Sequence, residues 1–323
     1  MEKKMSGNSV FKKLSSVPEK SYFNEHYFCD YVELIALVSN EDIVSSSDIY
    51  DRFYDDGKIN VNSSELNSEE VDKWESRIIS WYELLKYREN YYGISYPFII
   101  NRKTIKLKHD LNSNQLIYLF LLLNSNLKYI EDKNILTSDF EEVSLQAFKE
   151  YLPTIAKIYR FGKSMINNDR YTGSISDKID LFASDLKYNT KYEPHFFAEN
   201  NNGDGGLDIV SWIPFKDDLN TNNMSIYFGQ CATGKDWVKK QDDTKKFENY
   251  INFKSNISHV LFIPYDGRNI DSKFNEESTL SLNLLFDRLR IINLLLDNDT
   301  VVEELISFSS ILKKAISYEE DIV

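Results

Sequence analysis

The spacing of the apolar residues changes at Pro153, and this change constrains the fold more than any other feature of the sequence. Before Pro153, apolar residues recur three or four positions apart, as in Val71, Trp74, Ile78 and Trp81, which is the spacing of one face of an amphipathic helix. After Pro153, short apolar runs alternate with helical patterns and turn residues, which is typical of a mixed sheet. The sequence therefore predicts a helical N-terminal part followed by a mixed α/β part.

Two domains are expected, 1–153 and 154–323, because 323 residues exceed the length that a single core usually serves. The first domain is predicted to hold helices at 28–38, 47–54, 67–89, 113–130 and 138–152 and a β-hairpin at 96–108. The second of these helices is expected to have its N-cap at Ser47 or Asp48. Three helices followed by a hairpin indicate either a winged-helix-like domain, for recognition of DNA or a partner, or an unrelated helical domain with an edge hairpin.

The second domain shows the alternation of strands and helices that is typical of an α/β (α+β) core. Strands are predicted at 155–161, 192–198, 206–213, 225–231 and 259–265, and helices at 176–186, 236–253, 280–296 and 301–317. Within this region the order helix, three strands, helix, strand is followed by C-terminal helices.

The charge and the cysteines exclude several classes of protein. A net charge of −13 counts against a protein that coats DNA passively, though not against an enzyme that meets DNA in one local groove. Cys29 and Cys231 form no C-x-x-C pair, so neither a disulfide framework nor a structural zinc site is expected. The longest apolar run, Leu116–Leu123, is shorter than the ~20 residues that cross a bilayer, and the N-terminus lacks the apolar stretch of a signal peptide. We expect a cytoplasmic protein without a membrane anchor.

The residues that carry chemistry lie in Gly203-Asp-Gly-Gly-Leu-Asp-Ile-Val and in Ile226-Tyr-Phe-Gly-Gln-Cys-Ala-Thr-Gly-Lys-Asp-Trp. Asp208 falls inside an apolar strand signal, where a carboxylate is costly unless it is paired or binds a cation. The glycines before it allow close approach of the backbone to a neighbour or a ligand. Because the next strand ends at Gln230, neighbouring strands are expected to present an Asp and a Gln side by side.

This pattern resembles the PD-(D/E)xK nuclease superfamily, and most closely its Mrr-type restriction endonuclease branch, in which a Gly-Asp-Gly-Gly-x-Asp strand precedes a Gln-x-Lys strand. The resemblance covers roughly residues 175–265 and implies a restriction-endonuclease-like αβββαβ core. It also implies Mg²⁺-dependent hydrolysis of DNA phosphodiester bonds, with Mn²⁺ as a substitute, in restriction or defence against phage. Asp208 and Gln230 would hold the metal, and an acid on the preceding helix, Asp177 or Asp180, would complete the site.

The lysine of the motif is missing, because Ala232 stands where Gln-x-Lys would place it. Lys235 is the first choice to replace it and Lys239 the second. The segment 231–254 holds six Lys against four acidic residues, which favours contact with DNA phosphates. The lysines expected to make it are Lys239, Lys240, Lys245 and Lys246. The alternatives are a solvated helix face and a degenerate site that binds DNA or protein without cutting.

Two other interpretations of this stretch compete with the nuclease. Gly229 to Lys235 fits the G-x-x-x-x-G-K loop of nucleotide hydrolases, although Asp236 replaces the hydroxyl that such loops place on Mg²⁺. Cys231 could act as a nucleophile with His195 or His259, whereas a buried strand residue is the simpler interpretation. Among partners, DNA is expected, together with a homodimer for cutting both strands and a protein of a defence system.

Overall fold

The structure, a computed structural model, describes residues 10–19, 25–41, 43–59, 66–161, 170–193, 196–197, 205–216, 222–275, 277–296 and 310–319. The prediction of a mixed α/β chain with a helical N-terminal part is confirmed. The chain divides into two compact units. Unit 1 comprises Met1–Leu136, Tyr265–Glu277 and Asn298–Val323, and unit 2 comprises Thr137–Pro264 and Ser278–Asp297.

This division differs from the expected boundary at Pro153, because it falls inside the helix Lys133–Tyr151. It also places two later segments, Tyr265–Glu277 and Asn298–Val323, in unit 1. The second of them contains a C-terminal helix that was expected in the second domain. The physical reason is packing: that helix, Ser310–Ile316, buries Ile311, Leu312 and Ala315 and contacts helices of the N-terminal unit. The order of the elements along the sequence does not show that a late helix packs against the N-terminal unit.

Unit 1 contains helices and a small antiparallel sheet. Its helices are α1 (Glu25–Val38), α2 (Ser46–Asp55), α3 (Leu66–Tyr92) and α4 (Ser113–Ser125), and its strands are β1 (Val44–Ser45), β2 (Phe98–Asn101) and β3 (Thr104–Leu107). The strand order is β1-β3-β2, so the predicted hairpin forms and a short strand joins its edge. The N-cap of α2 is Ser45 rather than Ser47 or Asp48, because Ser45 and Asp48 complete a capping box.

The core of unit 1 encloses a charged network around Arg88 of α3. Its guanidinium bonds Asp30 (2.7 Å) and Glu33 (3.0 Å) of α1 and lies 3.5 Å from the carboxylate of Asp266, and all four side chains are fully buried or nearly so. Burial opposes the charge of Arg88, but Glu33 and Asp30 together hold its pKa well above the usual value. Removing any one of these side chains would leave a buried charge without its partner, which costs stability.

Unit 2 is built on a five-stranded mixed sheet. Its strands are β4 (Lys157–Arg160), β5 (Ile209–Ile213), β6 (Ser225–Cys231), β7 (Ile257–Phe262) and β8 (Leu284–Phe286), in that spatial order. The pairs β4–β5 and β5–β6 are antiparallel, whereas β6–β7 and β7–β8 are parallel. The helices are α5 (Lys133–Tyr151), α6 (Ile175–Asp185) and α7 (Arg288–Leu295), and the C-terminal helix of unit 1 is α8 (Ser310–Ile316).

Aromatic rings fill the core of unit 2 and fix where its helices lie. Phe228 of β6 packs against Phe182 of α6 and against Phe247, with ring centroids 5.9 and 6.4 Å apart. Phe148 of α5 contacts Tyr227, the neighbour of Phe228. Since side chains alternate along a strand, α6 and α5 cover opposite faces of the sheet.

Three predicted elements of unit 2 differ in the structure. The helix predicted at 236–253 is two 3-10 helices, Trp237–Lys240 and Asp243–Asn249. The Asn283 side chain donates to the carbonyl of Gln241 and so competes with the N–H of Lys245, which an α-helix would place there. That N–H bonds the carbonyl of Asp242 instead.

The helix predicted at 280–296 begins instead as strand β8, which pairs with β7, and Asp287 then caps the shorter α7. The strand predicted at 192–198 is not seen in its described residues, 192–193 and 196–197, and the rest lies outside the described chain. The strand that pairs with β5 on the side away from β6 is β4. The helix predicted at 301–317 is described from Ser310 only. None of the helices in the described ranges has the length and apolar character needed to span a bilayer.

Candidate metal site at the ends of β5 and β6

Asp208 lies immediately before β5, where the backbone leaves the regular ladder. Its N–H donates to the carbonyl of Gly229 (2.9 Å) on β6, while its carbonyl accepts from the N–H of Phe161 (2.7 Å) on the other side. In a regular antiparallel strand both groups of one residue face the same neighbour. Local irregularities of this kind turn a side chain out of its usual direction.

The carboxylate of Asp208 is turned toward the end of β6. Its Oδ2 accepts a hydrogen bond from the N–H of Cys231 at 2.6 Å, and the residue is 6% exposed. A hydrogen bond from a backbone N–H to a carboxylate is among the stronger protein hydrogen bonds. The carboxylate of Asp208 is therefore held at the end of β6, at the residue after Gln230.

Gln230 is 5% exposed and its side chain is only partly satisfied. Its Nε2 lies 3.4 Å from Oδ2 of Asp243, a long hydrogen bond. Its Oε1 is buried and has no hydrogen-bond partner within the described residues. A buried amide oxygen without a donor costs about 1–3 kcal/mol, so this atom is disposed to accept a cation or a water molecule.

The turn Gly205–Gly206 brings the backbone against Gln230. Both glycines have positive φ values, +63° and +87°. A Cβ at Gly206 would lie 3.2 Å from Nε2 of Gln230 and 3.6 Å from Cβ of Asp243. The glycine that the motif places here is therefore required both by its φ and by the close approach. Gly203, the first residue of the motif, lies outside the described residues.

Asp243 is the residue of this site that the sequence analysis missed. It opens the second 3-10 helix, which is bound to the sheet because Thr244 Oγ1 lies 2.8 Å from Nδ1 of His259 on β7. The other ring nitrogen of His259 lies 2.8 Å from Glu248 of the same 3-10 helix. In the sequence Asp243 is one acid in a run of alternating charges, and no local signal distinguishes it from Asp242.

The predicted helix acids are engaged elsewhere. The carboxylate of Asp177 accepts from the N–H and the hydroxyl of Ser174 at the N-terminus of α6, which lowers its pKa. Asp180 accepts from the hydroxyl of Tyr192 at 2.6 Å. Among the described residues no contact joins Asp177 to Asp208 or Gln230. Its local role is that of a capping-box acid.

The predicted lysines lie on or beside the two 3-10 helices. Lys239 is 79% exposed on its side chain and lies 3.4 Å from Asp236, and Lys245 lies 2.9 Å from Asp242. Lys235, Lys240 and Lys246 are also exposed. Lys246 lies beside the glycine turn, since its Cε is 3.6 Å from the Cβ position of Gly205. The lysines thus form an accessible basic segment next to Gln230.

Ala232 and the loop after it bear on the missing lysine and on the phosphate-loop alternative. Ala232 is fully buried, and its N–H donates to the carbonyl of Phe262 at 2.9 Å. The loop 232–236 leads into a 3-10 helix of four residues, Trp237–Lys240. A phosphate loop needs the N-terminus of a longer α-helix to cradle the anion, so the geometry disfavours that alternative.

Cys231 has the environment of a structural thiol. Burial, with the nearby charge of Asp208, raises its pKa well above the usual value, which disfavours the reactive thiolate. The ring of His259 is occupied by Thr244 and Glu248, and His195 lies outside the described residues.

Comparison with protein-family models, with curated proteins and with solved structures found no match to this chain. Within the described ranges, no group of three or more His, Cys, Asp and Glu side chains is placed to hold a metal ion. The candidate site described above combines carboxylates with the amide of Gln230. Carboxylate and amide oxygens are ligands that Mg²⁺ accepts, so this donor chemistry fits the expected metal.

Proposed function

We propose that unit 2 is a Mg²⁺-dependent endonuclease that hydrolyses DNA phosphodiester bonds, with Mn²⁺ as a substitute metal. The observation that carries the proposal is the position of Asp208, whose carboxylate is held at the end of β6 beside Gln230. Asp208 and Gln230, both buried, lie at the same end of the β5–β6 pair, and exposed lysines follow β6 in the sequence. The proposal extends the resemblance found in the sequence.

The topology of the sheet supports a restriction-endonuclease-like core. Three antiparallel strands, β4, β5 and β6, are followed by β7, which runs parallel to β6 after a crossing segment. The expected core likewise has three strands before a crossing element and one strand after it, but there a helix precedes all three strands, whereas β4 comes before α6 here. It differs in that β4 supplies the first strand and that 3-10 helices replace the crossing α-helix.

Each group of the site has a proposed role. Asp208 and Gln230 would hold the metal ion, which would supply the positive charge that polarises the scissile phosphate and lowers the pKa of the attacking water. Lys235, with Lys239 as the second choice, places positive charge near the phosphate in the transition state. The exposed lysines of the 3-10 helices, Lys239, Lys240, Lys245 and Lys246, contact the DNA backbone and position it without reading sequence.

Unit 1 is proposed to recognise a partner protein rather than DNA. Its first three helices and its hairpin, with strand order β1-β3-β2, are elements that a winged-helix-like domain would use, and α3 would then be the helix offered to DNA. The exposed charged residues of α3 are mainly acidic, however, with Glu69, Asp72, Glu75 and Glu83 against Lys73 and Lys86. An acidic face repels phosphate, so a protein of a defence system fits this surface better.

The test is cleavage of plasmid and single-stranded DNA in Mg²⁺, Mn²⁺ or EDTA by the full chain, with Asp208→Asn in parallel. Cutting that needs the divalent ion and is lost in the variant supports the proposal. Cutting that survives in EDTA or in Asp208→Asn contradicts it. The number of cuts per binding event, and the mass in solution, would show whether a homodimer acts on both strands.

One observation favours a second candidate, a DNA- or protein-binding module that has lost cleavage. Ala232 is fully buried where the motif has its lysine, so β6 offers no ammonium group at that position. In this case Asp208→Asn leaves DNA binding intact and there is no metal-dependent cleavage to lose. Gel-shift affinity at several salt concentrations, measured beside the cleavage assay, separates the two candidates.

A further inference from the structure

We infer that Asp243 is a third oxygen ligand of a divalent cation bound between Asp208 and Gln230. The inference deepens the proposed function and depends on its metal site. Neither the sequence pattern nor the resemblance assigns any role to Asp243, which comes from the 3-10 helix after β6 rather than from a strand or from α6.

The first support is the unsatisfied amide of Gln230. Its side chain is 95% buried and reaches Asp243, yet its Oε1 has no hydrogen-bond partner among the described residues while its Nε2 makes a bond of 3.4 Å. The two ends of an amide exchange by a rotation of χ3, which would turn Oε1 toward Asp243. An amide oxygen facing a carboxylate is unfavourable without a cation and favourable with one.

The second support is the enforced closeness of the backbone at Gly206. Its Cβ position lies 3.2 Å from Nε2 of Gln230 and 3.6 and 3.8 Å from atoms of Asp243, so the turn before Asp208 meets both side chains at one point. Asp208 follows two residues later, and its carboxylate is held at the N–H of Cys231. Gly206, Gln230 and Asp243 therefore border one small region, and the Asp208 carboxylate lies at the residue that follows Gln230.

The third support is the way in which Asp243 is held. Thr244, the next residue, lies 2.8 Å from the ring of His259 on β7, and Glu248 binds the other nitrogen of the same ring. This double attachment fixes the 3-10 helix to the sheet. A metal ligand needs such support, since its position must be set before the cation binds.

Asp242 provides a matched comparison. It precedes Asp243 directly, but it is 60% exposed on its side chain and pairs with Lys245 at 2.9 Å. Asp243 is only partly exposed and forms no ion pair with a lysine or arginine within the described residues. The two neutral variants, Asp243→Asn and Asp242→Asn, therefore remove the same charge at adjacent positions, and only one of them removes the inferred ligand.

The experiment is titration of the full chain with Mn²⁺, without DNA, followed by calorimetry and by the electron paramagnetic resonance of free Mn²⁺. We expect Asp243→Asn to weaken Mn²⁺ binding at least tenfold and Asp242→Asn to leave it within twofold of wild type. Asp243→Glu, which keeps a carboxylate, should bind Mn²⁺ more tightly than Asp243→Asn. Thermal melting without metal checks that each variant is folded.

The outcomes separate this inference from the proposed function. Mn²⁺ binding that is lost in Asp208→Asn but unchanged in Asp243→Asn overturns the inference and leaves the nuclease standing. Binding that needs both aspartates, without cleavage of any DNA, supports the inference and contradicts the nuclease. No binding of Mn²⁺ by the wild-type chain at millimolar concentration overturns the inference, and the cleavage assay then decides the function independently.

Discussion

The carboxylate of Asp208 accepts the backbone N–H of Cys231 at 2.6 Å, so one side chain both closes the end of the β5–β6 pair and provides oxygen to the candidate site. These two roles can be separated by substitution. Asparagine keeps an oxygen that can accept the N–H but loses the charge, whereas alanine loses both.

We expect Asp208→Ala to be less stable than Asp208→Asn by about 1–3 kcal/mol, because alanine leaves the partly buried N–H of Cys231 without an acceptor. Both variants should lose metal-dependent cleavage. Urea unfolding of the two variants beside wild type gives the difference in free energy of unfolding. Equal stability of the two would show that the carboxylate does not cap the strand end.

Gln230→Glu should lower the stability of the chain without metal, and added metal should stabilise this variant more than wild type. Without metal, a second carboxylate beside Asp243 lowers stability by about 1 kcal/mol through like-charge repulsion. With Mn²⁺, the added charge should strengthen binding, and the rise in melting temperature should exceed that of wild type by roughly 2–4 °C.

Gln146→Glu is the control for Gln230→Glu, because its amide donates to Glu142 of α5 at 2.6 Å. It should show like-charge repulsion, reduced by the ion pair of Glu142 with Arg160, without any recovery in Mn²⁺. If Mn²⁺ restores the stability of both variants, the effect is general screening by the ion. If Mn²⁺ restores the stability of neither, the result argues against a cation at Gln230.

Gly206→Ala should weaken Mn²⁺ binding, because its Cβ would displace Gln230 as well as strain a φ of +87°. Gly57→Ala shares the strain, with φ +71°, but meets nothing within 4 Å. We expect both to lose about 1 kcal/mol of stability or more. Only Gly206→Ala should change the Mn²⁺ titration, and equal titrations would mean that the turn does not border the site.

Asp139 of α5 should make unfolding depend on pH. Burial raises its pKa to about 6, although Arg160 opposes the shift, and its Oδ2 is buried without a hydrogen-bond partner among the described residues. A carboxyl whose folded pKa exceeds its unfolded pKa stabilises the fold below the unfolded pKa, about 4, and loses this contribution as the pH rises through 6.

Asp139→Asn should therefore stabilise the chain by about 1 kcal/mol at pH 8, allowing for partial solvent screening, and by little at pH 4. Asp132→Asn, at an exposed position just before α5, is the control and should show no such dependence. Urea unfolding at the two pH values measures the difference. A gain for Asp139→Asn that is equal at both would contradict the assignment.

Local patterns sufficed where a residue and its neighbours decide the structure. The apolar alternation from Ser225 to Cys231 predicted β6 with the observed bounds, and the polar residue in an apolar run singled out Asp208. Local patterns failed where contacts with residues distant in the sequence determine the structure. The bond from Asn283 to Gln241 and the contact of Thr244 with His259 hold the 3-10 helices that stand in place of the predicted helix, and Asp243 lies beside Gln230 there. The metal and the reaction stay predictions.

Unit 1 draws on three separate stretches of the chain, and this has a consequence for synthesis in the cell. Arg88 gains its bond to the carbonyl of Asp266 only after 266 residues have been translated, and α8 reaches α1 and α4 later still. Domains usually fold as they leave the ribosome, but here the first unit must wait for the last helix. A prematurely terminated chain would keep exposed apolar surface on α1 and α4, and proteases could recognise it as incomplete.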